Sequence, residues 1–208
     1  MATSCSTINH SVTTADSLIN PYNLNYDENE AKADKLLAQM TLEEKIGQLN
    51  LPDAGQVTTG LGKKGDIYDL IKQGKVGGVF NLTSAKDIHK AQKIAVEQSR
   101  LHIPLLIGMD IIHGYKTIFP IPLGLSTSWD PDMIEQTARV AAIEASTVGI
   151  NWAFSPMVDI ARDPRWGRIA ESSGEDTYLG SQIAAAMVKG YQLDDLAKEH
   201  TLLTSVKH

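Results

Sequence analysis

Four short segments of this chain are apolar along their whole length instead of at every second residue: residues 76–80, 104–109, 152–158 and 202–206. A strand with one wet face alternates apolar and polar side chains, whereas a continuously apolar strand is covered on both faces. Between these segments lie stretches with apolar residues at helical spacing, such as Ile88, Ala91, Ile94 and Ala95. Strands that alternate with helices and are buried on both sides predict a parallel sheet flanked by helices. That pattern constrains the fold more than any other feature of the sequence.

The helix boundaries are written in capping residues. Thr41 with Glu44 three positions later forms a capping-box pattern ahead of Ile46 and Leu49, following a helix predicted over residues 30–40. Ser84 opens a helix that runs to about Arg100, and Asp130-Pro131 opens one that continues to Gly149. A further helix is predicted over residues 176–191, and a short one ends near Gly74. Residues 1–29 are rich in Ser, Thr and Asn without periodicity and read as an irregular N-terminal segment; residues 30–208 read as one α/β unit, interrupted by a Gly-rich loop at 53–65.

Two architectures satisfy alternating strands and helices, an open doubly wound sheet and a closed (β/α)8 barrel. The polar residues discriminate between them. Asp110, Asp159 and the pair Lys207-His208 each follow an apolar segment, so several strands end in a reactive side chain, as in barrels that assemble their sites from many strand ends. The glycine fingerprint of a nucleotide-binding turn is absent. The expectation is therefore a (β/α)8 TIM-type barrel. Four strands are clear and residues 46–51 offer a fifth, so 208 residues supply roughly the first half of a fold that takes about 250.

Composition narrows the function classes. A net charge of -6 gives no basic stripe for nucleic acid or a membrane surface. Cys5 is the only cysteine, which leaves no intrachain disulfide and no thiolate cluster. Residues 1–27 contain no apolar signal core, and no run approaches the ~18 apolar residues of a membrane span.

Three constellations could carry chemistry. In Gly108-Met109-Asp110-Ile111-Ile112-His113-Gly114, Asp110 and His113 could bind substrate, act as an acid/base pair, or simply cap and pack a loop; a metal half-site is disfavoured because no second ligand cluster accompanies it. In residues 162–168, Arg162, Arg165 and Arg168 surround Pro164, Trp166 and Gly167 directly after a buried strand. A guanidinium fork held in such a loop suits sugar hydroxyls or a carboxylate. Lys207 could form a Schiff base or stay charged and bind hydroxyls, and the residues alone leave that choice open.

GMDIIHG, TIFPIPLGLSTSWD, NWAFSPMVDIARDPRWGRIAESSGEDTYL and SVKH, in this order, resemble the N-terminal barrel domain of glycoside hydrolase family 3, most closely its β-glucosidases; the resemblance covers about residues 35–208. It implies that Asp110, Arg168, Lys207 and His208 are substrate-binding residues that hold the terminal glucose of a β-glucoside or β-glucan oligosaccharide. It implies no cofactor and no metal. The family is retaining, which takes two carboxyl groups about 5 to 5.5 Å apart. Its nucleophile Asp and acid/base Glu are expected beyond His208, in parts of the polypeptide that follow, so the chain alone is expected to be inactive. Asp159, Glu171 and Asp176 fall where the family uses no catalytic carboxylate, and Arg162 and Arg165 are expected to brace their loop. Family members are often periplasmic or extracellular. The competing readings are a carbohydrate-binding module without catalysis, a β-xylosidase or β-N-acetylglucosaminidase of the same family, and a Schiff-base lyase using Lys207.

Overall fold

The computed structural model describes residues 26–54 and 66–208. The segment expected to be irregular to residue 29 enters helix α1 (Tyr26–Gln39) three residues earlier than that, and most of the Gly-rich loop lies outside the described residues. Helix α2 (Leu42–Gln48) starts on the capping box. Glu44 N–H donates to Thr41 Oγ1 at 3.2 Å, and Thr41 N–H donates to Glu44 Oε2 at 2.9 Å. The same carboxylate receives Arg100 Nε at 2.9 Å, while Arg100 Nη2 also reaches the Gln39 carbonyl at 2.7 Å. One arginine thus ties both leading helices to the body of the fold. It holds the Glu44 carboxyl at about 2, well below the ordinary carboxylate range, the Arg100 hydrogen bond being the largest cause.

Residues 46–51 do not form the fifth strand. The satisfied cap extends α2 through Gln48, so Ile46 belongs to a helix. The extended stretch begins afterwards: Gly77 N–H donates to Asn50 O, Phe80 N–H to Pro52 O and Ala54 N–H to Phe80 O, with a parallel bridge between Asp53 and Phe80. Pro52 has no N–H to give, but its carbonyl faces the neighbouring strand and is used.

Helix α3 (Ile67–Lys72), capped by Asp66, leads into strand β1 (Gly78–Phe80). Helix α4 (Ala85–Gln98), capped by Ser84, leads into strand β2 (Leu106–Met109). Helices α5 (Pro122–Ser126) and α6 (Pro131–Thr147) precede strand β3 (Trp152–Ala153), and α7 (Thr177–Gln192) precedes strand β4 (Leu203–Thr204). The four strands are parallel and lie in chain order, with Gly78 beside Leu106, Gly108 beside Trp152 and Trp152 beside Leu203. Sequential parallel strands joined by helices are the progression of a (β/α)8 barrel, of which four are about half.

The sheet is covered as its composition requires. Val79, Ile107, Ala153 and Leu202 are fully buried, and α6 turns Ile134, Ala138, Ala141, Ala142 and Ala145 into the same core. Small side chains on that face let helices approach closely. At Gly108 the absence of a side chain is essential, because a Cβ would lie 2.5 Å from the Phe154 ring, itself edge-on to Trp152. Beyond Ala153 the β3–β4 ladder is interrupted at Pro156, which lacks a donor, and resumes with Lys207 N–H donating to Pro156 O and Val158 N–H to Lys207 O. This late pairing brings the end of β4 beside the loop that follows β3.

Candidate functional site

Parallel strands in one sheet deliver their C-terminal ends to one rim. Asp110 follows β2, Asp159 follows β3 and its resumed pairing, and Lys207-His208 follows β4. Lys207 Nζ lies 2.8 Å from Asp110 Oδ1 and 3.4 Å from Glu171 Oε2. Glu171 takes Arg168 in a two-pronged pair, with Nε at 2.6 Å and Nη2 at 2.7 Å. Arg168 Nη1 reaches His208 Nε2 at 2.9 Å, and His208 Nδ1 lies 2.7 Å from Asp159 Oδ2. Asp110, Lys207, Glu171, Arg168, His208 and Asp159 therefore form one continuous chain of contacts.

The donor inventory fixes the imidazole. Arg168 can only donate, so in this arrangement Nε2 of His208 accepts from it and Nδ1–H donates a hydrogen bond to Asp159. Glu171 is held below its ordinary carboxylate range, first by its bonds to Arg168 and further by the charge of Lys207. The same bond raises Arg168 above its usual value. A general acid needs the opposite shift, toward neutrality. Glu171 is thus set up as a fixed anion that aligns two cations.

The loop carrying Arg168 is built to be stiff. The Ser172 hydroxyl, fully buried, donates to Asp159 O at 2.8 Å and accepts from Gly174 N–H at 3.1 Å, and Ala161 N–H donates to Gly174 O. These bonds close the neck of the loop, and a single 3₁₀ turn (Ile169–Glu171) sets Arg168 beside Glu171. Arg165 pairs with Asp163 inside the loop, pointing away from the cluster into solvent.

All four predicted binding residues, Asp110, Arg168, Lys207 and His208, meet in this cluster. His113 does not: its Nδ1 donates to the Phe119 carbonyl at 2.9 Å, and Phe119 N–H returns a bond to His113 O, which closes the loop after β2. Glu144 pins the same loop by accepting from Lys116 N–H, Thr117 N–H and Thr117 Oγ1. Sequence reasoning placed Asp159 at a strand end but gave neither it nor Glu171 a part in binding. Glu171 stands three residues after Arg168, a spacing that pairs charges on one helical turn, and that was the available signal. Among the described residues no group of three or more His, Cys, Asp or Glu side chains is arranged to hold a metal ion, and no helix is long and apolar enough to cross a membrane.

The cluster brings three carboxylates, an ammonium, a guanidinium and an imidazole to one rim. Carboxylates accept hydrogen bonds from hydroxyl groups and the cations donate to them, so the set offers partners of both kinds.

The profile of the glycosyl hydrolase family 3 N-terminal domain matches residues 41–208. The periplasmic beta-glucosidase of Salmonella typhimurium is 42% identical over 194 residues, covering 93% of this chain and 25% of that protein. The β-glucosidase of Listeria innocua, solved in complex with isofagomine, superposes with a TM-score of 0.77 at 40% identity, over 86% of this chain and 25% of that one. The exo-1,3/1,4-β-glucanase ExoP of a Pseudoalteromonas species superposes with a TM-score of 0.74 at 30% identity, over 86% of this chain and 24% of that one. The chain spans about a quarter of the length of these relatives.

Proposed function

The chain belongs to glycosyl hydrolase family 3, and on that premise we propose that it forms the sugar-holding wall of a retaining β-glucosidase that removes terminal β-linked glucose from β-glucosides or short β-glucans. The observation that carries this reading is the joining of Asp110, Lys207, Arg168 and His208 into one charged rim through Glu171. Asp110 accepts from sugar hydroxyls and Lys207 donates to them, so an incoming glucose replaces part of their mutual contact with equivalent bonds. Arg168 and His208 address the adjacent edge of the ring. Fixing the glucose at several hydroxyls orients its anomeric carbon toward the nucleophile and acid/base that the reaction also needs.

Within this chain each acid of the rim is paired with a cation or with the imidazole, and Glu171 is held as an anion instead of a proton donor. The chain alone binds glucose without hydrolysing an aryl β-glucoside. The name of the Salmonella relative supports a periplasmic setting for the whole enzyme.

The test is a transplant. Residues 41–208 replace the matching segment of the Salmonella β-glucosidase, and hydrolysis of aryl β-glucoside, β-xyloside and β-N-acetylglucosaminide is measured. The reading expects turnover, highest on the glucoside, and its loss with Asp110→Ala. A folded hybrid that prefers the xyloside or the N-acetylglucosaminide, or that ignores Asp110→Ala, overturns it.

A further inference from the structure

Asp110 stands where β2 has left the ladder. The last ladder bond at this edge is Phe154 N–H to Met109 O, and the peptide after Asp110 continues without a strand partner. One peptide further on, the carbonyl of the fully buried Ile111 is taken by a side chain 80 residues away in the sequence: the Tyr191 hydroxyl donates to Ile111 O at 2.5 Å. Tyr191 lies in the last turn of α7 with 1% of its surface exposed. Its own carbonyl accepts Leu202 N–H at 2.9 Å, the bond that starts the run into β4. One residue therefore grips both segments that lead to the Asp110–Lys207 pair.

We propose that Tyr191 is a positioning residue for the sugar site, whose buried hydroxyl sets the Asp110 carboxylate against the Lys207 ammonium. The proposal rests on the sugar-binding reading for its functional consequence, and on geometry alone for the tie. Burial pushes the Tyr191 hydroxyl up to about 12, so it stays a donor across the range in which a glycosidase works. A phenylalanine in its place retains the ring and removes the donor that the Ile111 carbonyl uses. A buried carbonyl that loses its donor is costly, and the Asp110–Ile111 segment is expected to shift as that carbonyl seeks a new one. Lys207, whose side chain is only 14% exposed in the pair, is then released on one side.

The experiment uses the full chain and three proteins: unsubstituted, Tyr191→Phe and Asp110→Asn. Reductive methylation by formaldehyde and cyanoborohydride, followed residue by residue by mass spectrometry well below the melting transition, reports how tightly Lys207 is held. Tyr191→Phe is expected to speed modification of Lys207 about fivefold, with other lysines unchanged. Unchanged Lys207 labelling in Tyr191→Phe overturns the tie, including the case in which that variant only melts earlier. Glucose affinity in the same proteins separates the two claims. If Tyr191→Phe releases Lys207 while Asp110→Asn binds glucose like the unsubstituted chain, the tie stands and the sugar reading fails; a parallel loss of affinity in both variants supports both. Should Tyr191→Phe not fold, the Tyr191 hydroxyl proton of the unsubstituted chain decides. A slowly exchanging resonance supports the bond, and rapid exchange with water overturns it.

Discussion

Lys207 Nζ and Asp110 Oδ1 lie 2.8 Å apart across 97 residues of sequence, which joins the end of β4 to the end of β2 over the intervening β3. In the sugar-binding reading these two groups work as a donor and acceptor on adjacent hydroxyls. Asp110→Asn keeps the shape and removes the charge, so glucose affinity is expected to fall about tenfold to hundredfold, the range for a hydrogen bond to a charged group. The far-ultraviolet circular dichroism should not change. Calorimetric titration checks it.

Glu171 aligns Arg168 and Lys207 with one carboxylate. Glu171→Gln is expected to weaken glucose binding about fivefold, and the loss should shrink when Arg168 is already replaced by Met, because the two substitutions then remove the same alignment. A double-mutant cycle on glucose affinity reads this. Additive losses would mean that Glu171 acts independently of Arg168.

The pH dependence of the rim follows from the sign of the Glu171 shift. Its folded value is depressed, so its stabilising contribution is complete above the ordinary carboxylate range and is lost only as pH falls through the lower, folded value. The Glu171–Arg168 pair should therefore survive mild acid. Chemical-shift titration of the Glu171 carboxyl carbon should place its midpoint below that of a peptide glutamate.

Away from the rim, Arg100 holds Glu44 at about 2. The depressed value predicts stability that is present above about 4.5 and disappears as pH falls toward 2, the ordinary and shifted values bracketing the window. Glu44→Gln should lower the melting temperature at neutral pH and flatten the acid limb of the melting curve between those limits. Differential scanning calorimetry across pH distinguishes this from a uniform loss.

Gly108→Ala places a Cβ within 2.5 Å of the Phe154 ring. Overpacking of this kind costs about 1–3 kcal/mol. Thermal denaturation should show the loss, and the Trp152 fluorescence should change as the edge-on Phe154 moves.

Much of this architecture was legible because it rests on burial. The segments at 76–80 and 104–109 are apolar on both faces and became β1 and β2, and Ser84 and Asp130 cap the helices they were read to cap. Asp110 and Lys207 were legible as strand-end residues, since a parallel sheet puts such ends on one rim. The failures are local. Ile46 and Leu49 look equally apolar in a strand or on a helix face, and the capping box decided for the helix. The interruption at Pro156 shortened the third strand, because a missing donor matters only once the partner strand is known. Tyr191 was missed because its partner Ile111 is remote in sequence, whereas Glu171 carried a local signal in its spacing to Arg168 and only its contact with Lys207 needed the folded chain.

The central claim, that Asp110, Arg168, Lys207 and His208 together hold one glucose, is tested most directly by titrating the isotope-labelled chain with glucose and following its side-chain resonances. The account predicts saturable shifts at the Lys207 ammonium, the Arg168 guanidinium and the His208 imidazole that share one dissociation constant and vanish in Asp110→Ala. Shifts confined to other residues, or saturation that persists in Asp110→Ala, would contradict it.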